Sequence, residues 1–516
     1  MRSPRTPVIV VTCIGWLWSP AQDPIWSPDV ANIIYTHCSS CHHEGSIGPF
    51  AMMSYADVVD HAVEVGEQVD ARNMPPWPAD PNYRHFLDEN VLTQGEIDAV
   101  VGWVLGGTPF GDPGLEPDPP IFPPGGSLLN TIDFQVAIPP YTLQYNTDEY
   151  RWFVIPNPFP TTVYVNAIEV FAGLNEVVHH ADISYDNTGA SLANDLLDPL
   201  PGFNGSTGSP TYSYYMNAWQ PGGNVVRYPP QWGIAIPPGS DFVIEIHYGP
   251  GAQGQVDSTV MNLEFVTGPG IRPVSVGWLL GHGNMTDGPL VIPANTVQIF
   301  HQEWTVPSAR SFVSICPHMH HVGVAYKVWA QVGPDSVPLI DIPQWDFHWQ
   351  RYYTCQTVQP LPAGAVIKSI GVYDNTVNNP DNPHNPPQDM YQGSTTDSEM
   401  FLTFFIWTNY QPGDEYIVLD STIIAGVAEQ QVVPFEWTVF PNPTAGAIWI
   451  GLDGTHPGNA TIEVRNALGS LVAAENLSAV RTPGPVQVDL ANVPAGVYTI
   501  ELVTPATRSA RKVLRL

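Results

Sequence analysis

The sequence predicts a mainly β protein: several short-stranded sandwiches in series, with one small helical domain near the start. Three observations carry this. Short apolar stretches recur through residues 128–430, separated by Pro, Gly, Asn and Asp, which is the rhythm of half-buried strands joined by turns. Charged residues are 13% of the chain, against ~25% in an average soluble domain, which excludes long solvent-facing amphipathic helices for most of it. Helix-period apolar spacing is confined to residues 22–112.

With 516 residues, and ~150 for a typical domain, three or four domains are expected. Apolar residues make 43% of the chain, with 16 Trp and 21 Tyr, enough for a large core. The 44 Gly and 55 Pro together stay below the ~25–30% that marks low-complexity chains. Acidic side chains number 49 against 17 basic, a net charge of −32 that repels phosphate backbones and excludes nucleic acid as a partner.

Residues 1–21 read as a signal peptide. Arg2 and Arg5 precede the apolar run Pro7–Trp18, and Ser19-Pro20-Ala21 offers a small-x-small cleavage site. The run falls short of the ~20 residues of a membrane-spanning helix, and no later stretch qualifies. Export through the periplasm as a soluble protein follows. Cys13 lies in this segment, so four cysteines remain: Cys38, Cys41, Cys316 and Cys355.

Residues 22–112 form the helical domain. Asp57 to Arg72 carries Val58, Val59, Ala62, Val63, Val65 and Val69 with few breakers, and Thr93 with Glu96 is a capping-box signature ahead of Ile97–Leu105. Gly106-Gly107 and Pro109 end that helix. The six prolines between Pro113 and Pro124 make 113–127 a stiff linker. Beyond it, stretches such as Arg151–Ile155, Phe242–His247, Val313–Cys316 and Leu402–Trp407 read as strands, and Gly268-Pro269-Gly270 marks a seam between units 128–269 and 270–430. Residues 434–516 read as a further small β-sandwich of immunoglobulin-like type, ending in the basic strand Arg508–Leu516.

Cys38-Ser39-Ser40-Cys41-His42 is C-x-x-C-H, the c-type haem attachment motif. Two thiols at i and i+3 form thioethers to the haem vinyls, and the adjacent His42 places an imidazole on the iron; a redox dithiol or a disulfide is the competing reading. Residues 22–112 resemble a small class-I-type cytochrome c. The resemblance implies one covalently bound haem c and a methionine as sixth ligand from a proline-rich stretch, which Met74-Pro75-Pro76-Trp77 matches. Met52 and Met53 compete with Met74 for that role.

Three histidine clusters stand out in the β region: His179-His180 after the strand-like Glu169–Val178, His247 ending Phe242–His247, and His318-Met319-His320-His321 after Phe312–Cys316. Alternate residues of a strand share a face, so His318 and His320 suit one metal. Imidazoles suit copper and zinc, and a thioether tips the choice to copper. In order and spacing, His179-His180, His247-Tyr248-Gly249, His318-x-His320 and Asp397-Ser398-Glu399-Met400 resemble the type II copper, ascorbate-dependent monooxygenases, the peptidylglycine α-hydroxylating and dopamine β-monooxygenase family. The resemblance implies two jelly-roll-like sandwiches flanking a solvent cleft, with two copper ions. His179, His180 and His247 would hold the electron-storing copper; His318, His320 and Met400 would hold the one that binds O₂ and faces substrate. It implies hydroxylation of a C–H bond, with electrons from ascorbate; because the chain also carries a haem motif, the haem domain is expected to supplement or replace ascorbate by passing electrons to the copper of His179, His180 and His247.

The chain departs from the peptide-amidating members. Cys316 stands where they place an Arg, and Leu402 and Phe404 where they place Asn and Tyr, so a carboxylate lacks its donors. A neutral or hydrophobic substrate is expected, small or peptide-like. Cys316 and Cys355 are expected as a disulfide of an exported sandwich. His321, His348 and His384 are expected as packing or surface residues, with a role supporting the ligands as the alternative. Residues 434–516 resemble the type A sorting domain of the Bacteroidota type IX secretion system, through Val439-Phe440-Pro441-Asn442-Pro443-Thr444, Asn466-Ala467-Leu468-Gly469, Ala495-Gly496-Val497-Tyr498 and the basic end. That implies the type IX machinery as a partner and a secreted or cell-surface destination. Two readings compete with the enzyme: an extracellular copper-binding or electron-transfer protein on the same scaffold, and zinc in place of copper.

Overall fold

The computed structural model describes residues 23–44, 46–122, 127–175, 177–204, 213–220, 225–419, 437–442, 444–452, 460–466, 471–477, 486–491, 493–503 and 508–515. The expected signal peptide lies outside them. Two compact units divide the chain, Met1–Gly426 and Val427–Leu516. No helix among the described residues is long and apolar enough to cross a membrane.

In the first unit a π-type turn, Trp26–Val30, runs into the helix Ala31–His37, followed by helices Tyr55–Asp60, Ala62–Asp70 and Gln94–Leu105. The last begins at the anticipated capping box: Thr93 Oγ1 accepts from the Glu96 N–H, and the Glu96 carboxylate accepts from the Thr93 N–H. The stretch expected as one helix from Asp57 to Arg72 is two. His61 breaks it, its N–H turning to Val58 O while its ring stacks on Phe50 at 3.7 Å. Trp26, Ile34, Val58, Val65, Val100 and Trp103 close a helical core. The proline-rich segment folds back on this core, where Glu116 accepts from Trp26 Nε1 at 2.6 Å.

Two five-stranded sheets form the first sandwich. One runs Phe134–Ala137, Val260–Phe265, Val163–Phe171, Trp232–Ile236 and Arg272–Pro273; the other runs Phe203–Asn204, Glu149–Pro156, Asp241–Tyr248, Val178–Asp186 and Ser213–Trp219. The second sandwich pairs two four-stranded sheets: Ser275–Leu280, Leu402–Asn409, Arg310–His318 and Tyr353–Leu361 against Thr296–Thr305, Val366–Asn375, Gly323–Val332 and Asp335–Ile342. Every strand named from the sequence is present, but Arg272–Pro273, beyond the expected seam at Gly268–Gly270, still pairs in the first sandwich, and the second begins at Ser275. Glu169–Val178, however, is not one strand. Val163–Phe171 ends within it, and His179-His180 fall inside the next strand, not after one. A short helix, Ala190–Asp195, was not anticipated.

The two sandwiches share part of one core. Val313, Val358 and Ile406 of the second bury into the same cluster as Phe153, Ile183 and Ile244 of the first. Each such side chain contributes about 1.5–3 kcal/mol on burial. The helical domain docks too: Phe86 bridges the strand at Cys355, Leu87 N–H donates to Thr354 O at 2.8 Å, and Asp80 N–H donates to Asp341 O at 2.8 Å.

The expected Cys316–Cys355 disulfide is absent; both are free, buried thiols. The register explains this. Ser314 bonds Thr354 side chain to side chain at 2.8 Å, so those two share a face. Alternation then puts Cys316 on that face and Cys355 on the other. Cys316 looks toward Asp182 of the first sandwich and Cys355 toward Arg84, and burial raises both thiols.

The second unit is a small sandwich of its own. Trp437–Phe440, Ala447–Leu452 and Val486–Asp489 form one sheet, and Leu471–Leu477, Ala460–Arg465, Gly496–Val503 and Arg508–Arg515 the other. Ile448, Ile450, Val464, Ile500 and Val513 fill it.

Candidate metal centres

His179, His180 and His247 converge. His180 sits directly across the strand pair from His247, and the register slips between Val178 and His180, leaving His179 as the extra residue of a bulge. Consecutive strand residues normally face opposite ways; the bulge turns both histidines to one side. One ring nitrogen from each lies within 4.8 Å of the other two. His179 Nδ1 and His180 Nδ1 are 3.3 Å apart, about the spacing of two nitrogens bound at ~2.0 Å to one tetrahedral ion.

Partners set the tautomer. His247 Nε2 lies 2.9 Å from Asp148 Oδ1 and must carry the proton, which leaves Nδ1 as a lone-pair donor. That Nδ1 is buried without a hydrogen-bond partner, as is His179 Nε2. Tyr150 stacks on the His247 ring at 4.2 Å and fixes its plane. Burial is the main cause that lowers His179 to about 3 and His180 well below the ordinary value. The lone pairs of His179 and His180 are therefore available to a cation at neutral pH.

The second group lies on the other sandwich. His318 ends its strand and His320 sits just beyond it, so strict strand alternation does not place them; their rings still meet at 5.2 Å, nearly perpendicular. His318 Nδ1 donates to Gln350 Oε1 at 2.5 Å, and His320 Nδ1 donates to Ser398 O at 2.9 Å. Both Nε2 atoms remain for a ligand. Burial lowers His318 to about 4 and His320 to about 3. Glu399 ties this turn to Met400. Fully buried, it accepts from His320 N–H (2.9 Å), Val322 N–H (2.8 Å) and Met400 N–H (3.1 Å). Met400 is half-buried, two residues before Leu402, the residue paired with His318.

Phe347 links the groups. His179 stacks on it at 5.0 Å and His320 meets it edge-on at 5.9 Å, which caps the separation of those imidazole centres at the sum of the two distances. His321 is 4.2 Å from the same ring and His348 is 5.8 Å. His348 is exposed and raised by Asp346. His384 reaches Asp397 O at 3.4 Å. Beside His318, the expected apolar wall is Phe404, with Trp278 at 5.7 Å and Tyr215 at 5.2 Å.

In the helical domain, Cys41 N–H and His42 N–H both bond Cys38 O, which turns the chain tightly through the C-x-x-C-H segment. His42 Nδ1 donates to Phe50 O at 2.9 Å, leaving Nε2 unprotonated, and burial lowers this histidine. A Cβ at Gly48 would lie 2.7 Å from His42 Nδ1, so this position must stay glycine for the ring to sit where it does. These residues fit a thioether-bound haem with an axial imidazole. Met52 is buried in the helical core, a packing role; Met74 is partly exposed in its proline-flanked loop.

Sequence reasoning missed His282, whose Nε2 accepts from Phe401 N–H at 3.1 Å near His318, and the roles of Gln350 and Phe347. Gly281-His282-Gly283 carried no spacing signal.

Residues 438–514 match the family described as secretion system C-terminal sorting domain. The chain is therefore addressed to the type IX secretion machinery and is secreted or held at the cell surface. A search of curated proteins finds no match. Among solved structures, a β-glucuronidase of Faecalibacterium prausnitzii is similar at 13% identity and TM-score 0.13, covering 42% of this chain and 37% of that one. One of Ruminococcus gnavus, in complex with uronic isofagomine, gives 11% identity, TM-score 0.12, and 43% and 36% coverage. Bacteroides uniformis β-glucuronidase 3 gives 10%, 0.14, 49% and 30%. The chain spans little more than a third of the length of the first two, and likenesses this distant carry no argument about function.

Proposed function

We propose that this protein is a secreted copper-dependent monooxygenase that hydroxylates a C–H bond with O₂. Two copper ions and one haem c are its cofactors, and electrons come from ascorbate or the haem domain. The observation that carries the reading is the meeting, across one phenylalanine, of two groups of histidines, in one of which Glu399 accepts from the backbone N–H of both His320 and Met400. His179, His180 and His247 would hold one ion; His318, His320 and Met400 would hold the other, and Cys38, Cys41, His42 and Met74 would hold the haem. When bound, copper supplies one-electron cycling and, at the thioether site, O₂ activation, since a soft sulfur favours the cuprous state.

The protein's own residues do the rest. Asp148, Gln350 and Ser398 O hold three ring protons away from the metal side, fixing which nitrogen donates. Glu399 keeps His320 and Met400 at one locus. Phe404, Trp278 and Tyr215 offer aromatic surface beside His318, with no cationic group in place of Cys316, which supports a neutral, apolar substrate.

Metal analysis comes first: two copper ions per chain are expected, and zinc in their place would end the reading. Ascorbate-driven oxygen uptake across a panel of apolar substrates then tests catalysis. Met400→Ile should abolish it while retaining the spectrum of the three-histidine site. Unaltered uptake would remove Met400 from the centre, and copper with no uptake on any substrate would favour the electron-transfer reading.

A further inference from the structure

The proposed function leaves open which copper the haem domain would feed. We propose that electrons enter at His318, through Trp77, Arg351 and Gln350, and not at the three-histidine group. The inference rests on the proposed copper and haem sites and goes beyond them by assigning the route.

Docking of the helical domain sets the direction. Among the described residues, its backbone hydrogen bonds to the sandwiches go to Asp341 and Thr354, both on the second sandwich. Arg84 adds bonds to Pro338 O at 2.8 Å and Gln359 Oε1 at 3.1 Å. The segment 77–90 is thus hydrogen-bonded to the sandwich that carries His318, while Leu87 packs into the core the two sandwiches share, and Trp77 follows the Met74-Pro75-Pro76 loop directly.

Three contacts then bridge the remaining gap. The Arg351 guanidinium lies 5.2 Å over the Trp77 ring, and Trp77 meets Tyr353 edge-on at 5.4 Å. One peptide bond from Arg351, Gln350 bonds His318 Nδ1 at 2.5 Å, its own Nε2 held by Phe347 O at 2.8 Å.

Electron tunnelling decays less steeply through bonds and hydrogen bonds than across van der Waals gaps. From Trp77 to His318 the path has one through-space step, then covalent bonds and one short hydrogen bond. To continue to His179 it must cross the Phe347 stack. Each transfer moves one electron: ferrous haem becomes ferric, the cupric ion at His318 becomes cuprous, and no proton or atom changes place.

The test is flash reduction of the haem in the full-length cupric protein, following decay of the ferrous band. His180→Ala should leave the decay rate within about twofold. Gln350→Leu should slow it about tenfold or more, with unchanged haem content and with the cupric signal of the His318 site still present. Arg351→Gln should slow it as well. Unchanged decay in Gln350→Leu and Arg351→Gln would overturn the route, as would loss of decay in His180→Ala with the His318 copper intact. A protein without covalently attached haem, or without copper at His318 and His320, would overturn the proposed function itself and this route with it, and the pyridine haemochrome and cupric spectra tell those failures apart.

Discussion

Glu399 is the residue whose removal should cost the second metal centre most. Its carboxyl group is fully buried, which raises it to about 8 against the opposing pull of the backbone N–H groups it accepts from, those of His320, Val322 and Met400. Oε2 serves His320 and Met400, and Oε1 serves Val322. Glu399→Leu strands all three donors away from water at ~1–3 kcal/mol each, so a loss of ~3 kcal/mol or more is expected. Glu399→Gln keeps one oxygen able to serve two donors and turns an NH₂ toward the third, for a loss of ~1–3 kcal/mol. The assay is denaturant unfolding of both variants beside the parent, with copper titrated site by site. Copper affinity at His318, His320 and Met400 should fall ~10–100-fold, while His179, His180 and His247 keep theirs. A Leu variant that unfolds at the parent midpoint, or loses affinity equally at both sites, would refute the clamp.

Further outcomes follow from the same contacts. Burial works to raise Asp414, but Arg272, at 2.6 and 2.8 Å, and Ser311 outweigh it and leave its carboxyl below the ordinary 3.8. A depressed value means the stabilisation is whole above 3.8 and lost as pH falls through the lower folded value; acid titration of Arg272→Leu should show a flattened profile there and ~3–5 kcal/mol less stability at neutral pH. Thr93→Ala removes the cap on Gln94–Leu105 and should cost ~1 kcal/mol, read from the melting transition of the helical domain; no change would deny the cap its weight. Thiol titration of the unfolded secreted protein without reductant should count two groups, Cys316 and Cys355; none would restore the disulfide.

Much of this was legible from the chain. Strand alternation and turn residues reveal the sandwiches, and the capping box reveals the last helix of the helical domain. The three-histidine group was readable as ligand types, but its geometry was not, because the bulge at His179 depends on how Val178–Asp186 pairs with Asp241–Tyr248. Gln350, Phe347 and His282 come from stretches whose local pattern is that of any loop; only long-range packing brings them to the site. The Cys316–Cys355 expectation failed for a related reason. Compartment chemistry says thiols can pair, whereas sheet register decides which face each one takes.

The ladder between Phe86–Leu87 and Thr354–Cys355, together with the Arg84 bonds, has a practical consequence for anyone cutting the chain at its proline stretch. Those contacts do not depend on residues 113–127, so a protease nick there should yield two polypeptides that co-elute under native conditions and separate only in denaturant. An expression boundary drawn at the prolines would expose Phe86, Leu87 and the flank of strand Tyr353–Leu361 on the separated pieces. Isolated fragments should therefore be stickier than the parent, and a version without the helical domain needs a patched surface, not merely a later start.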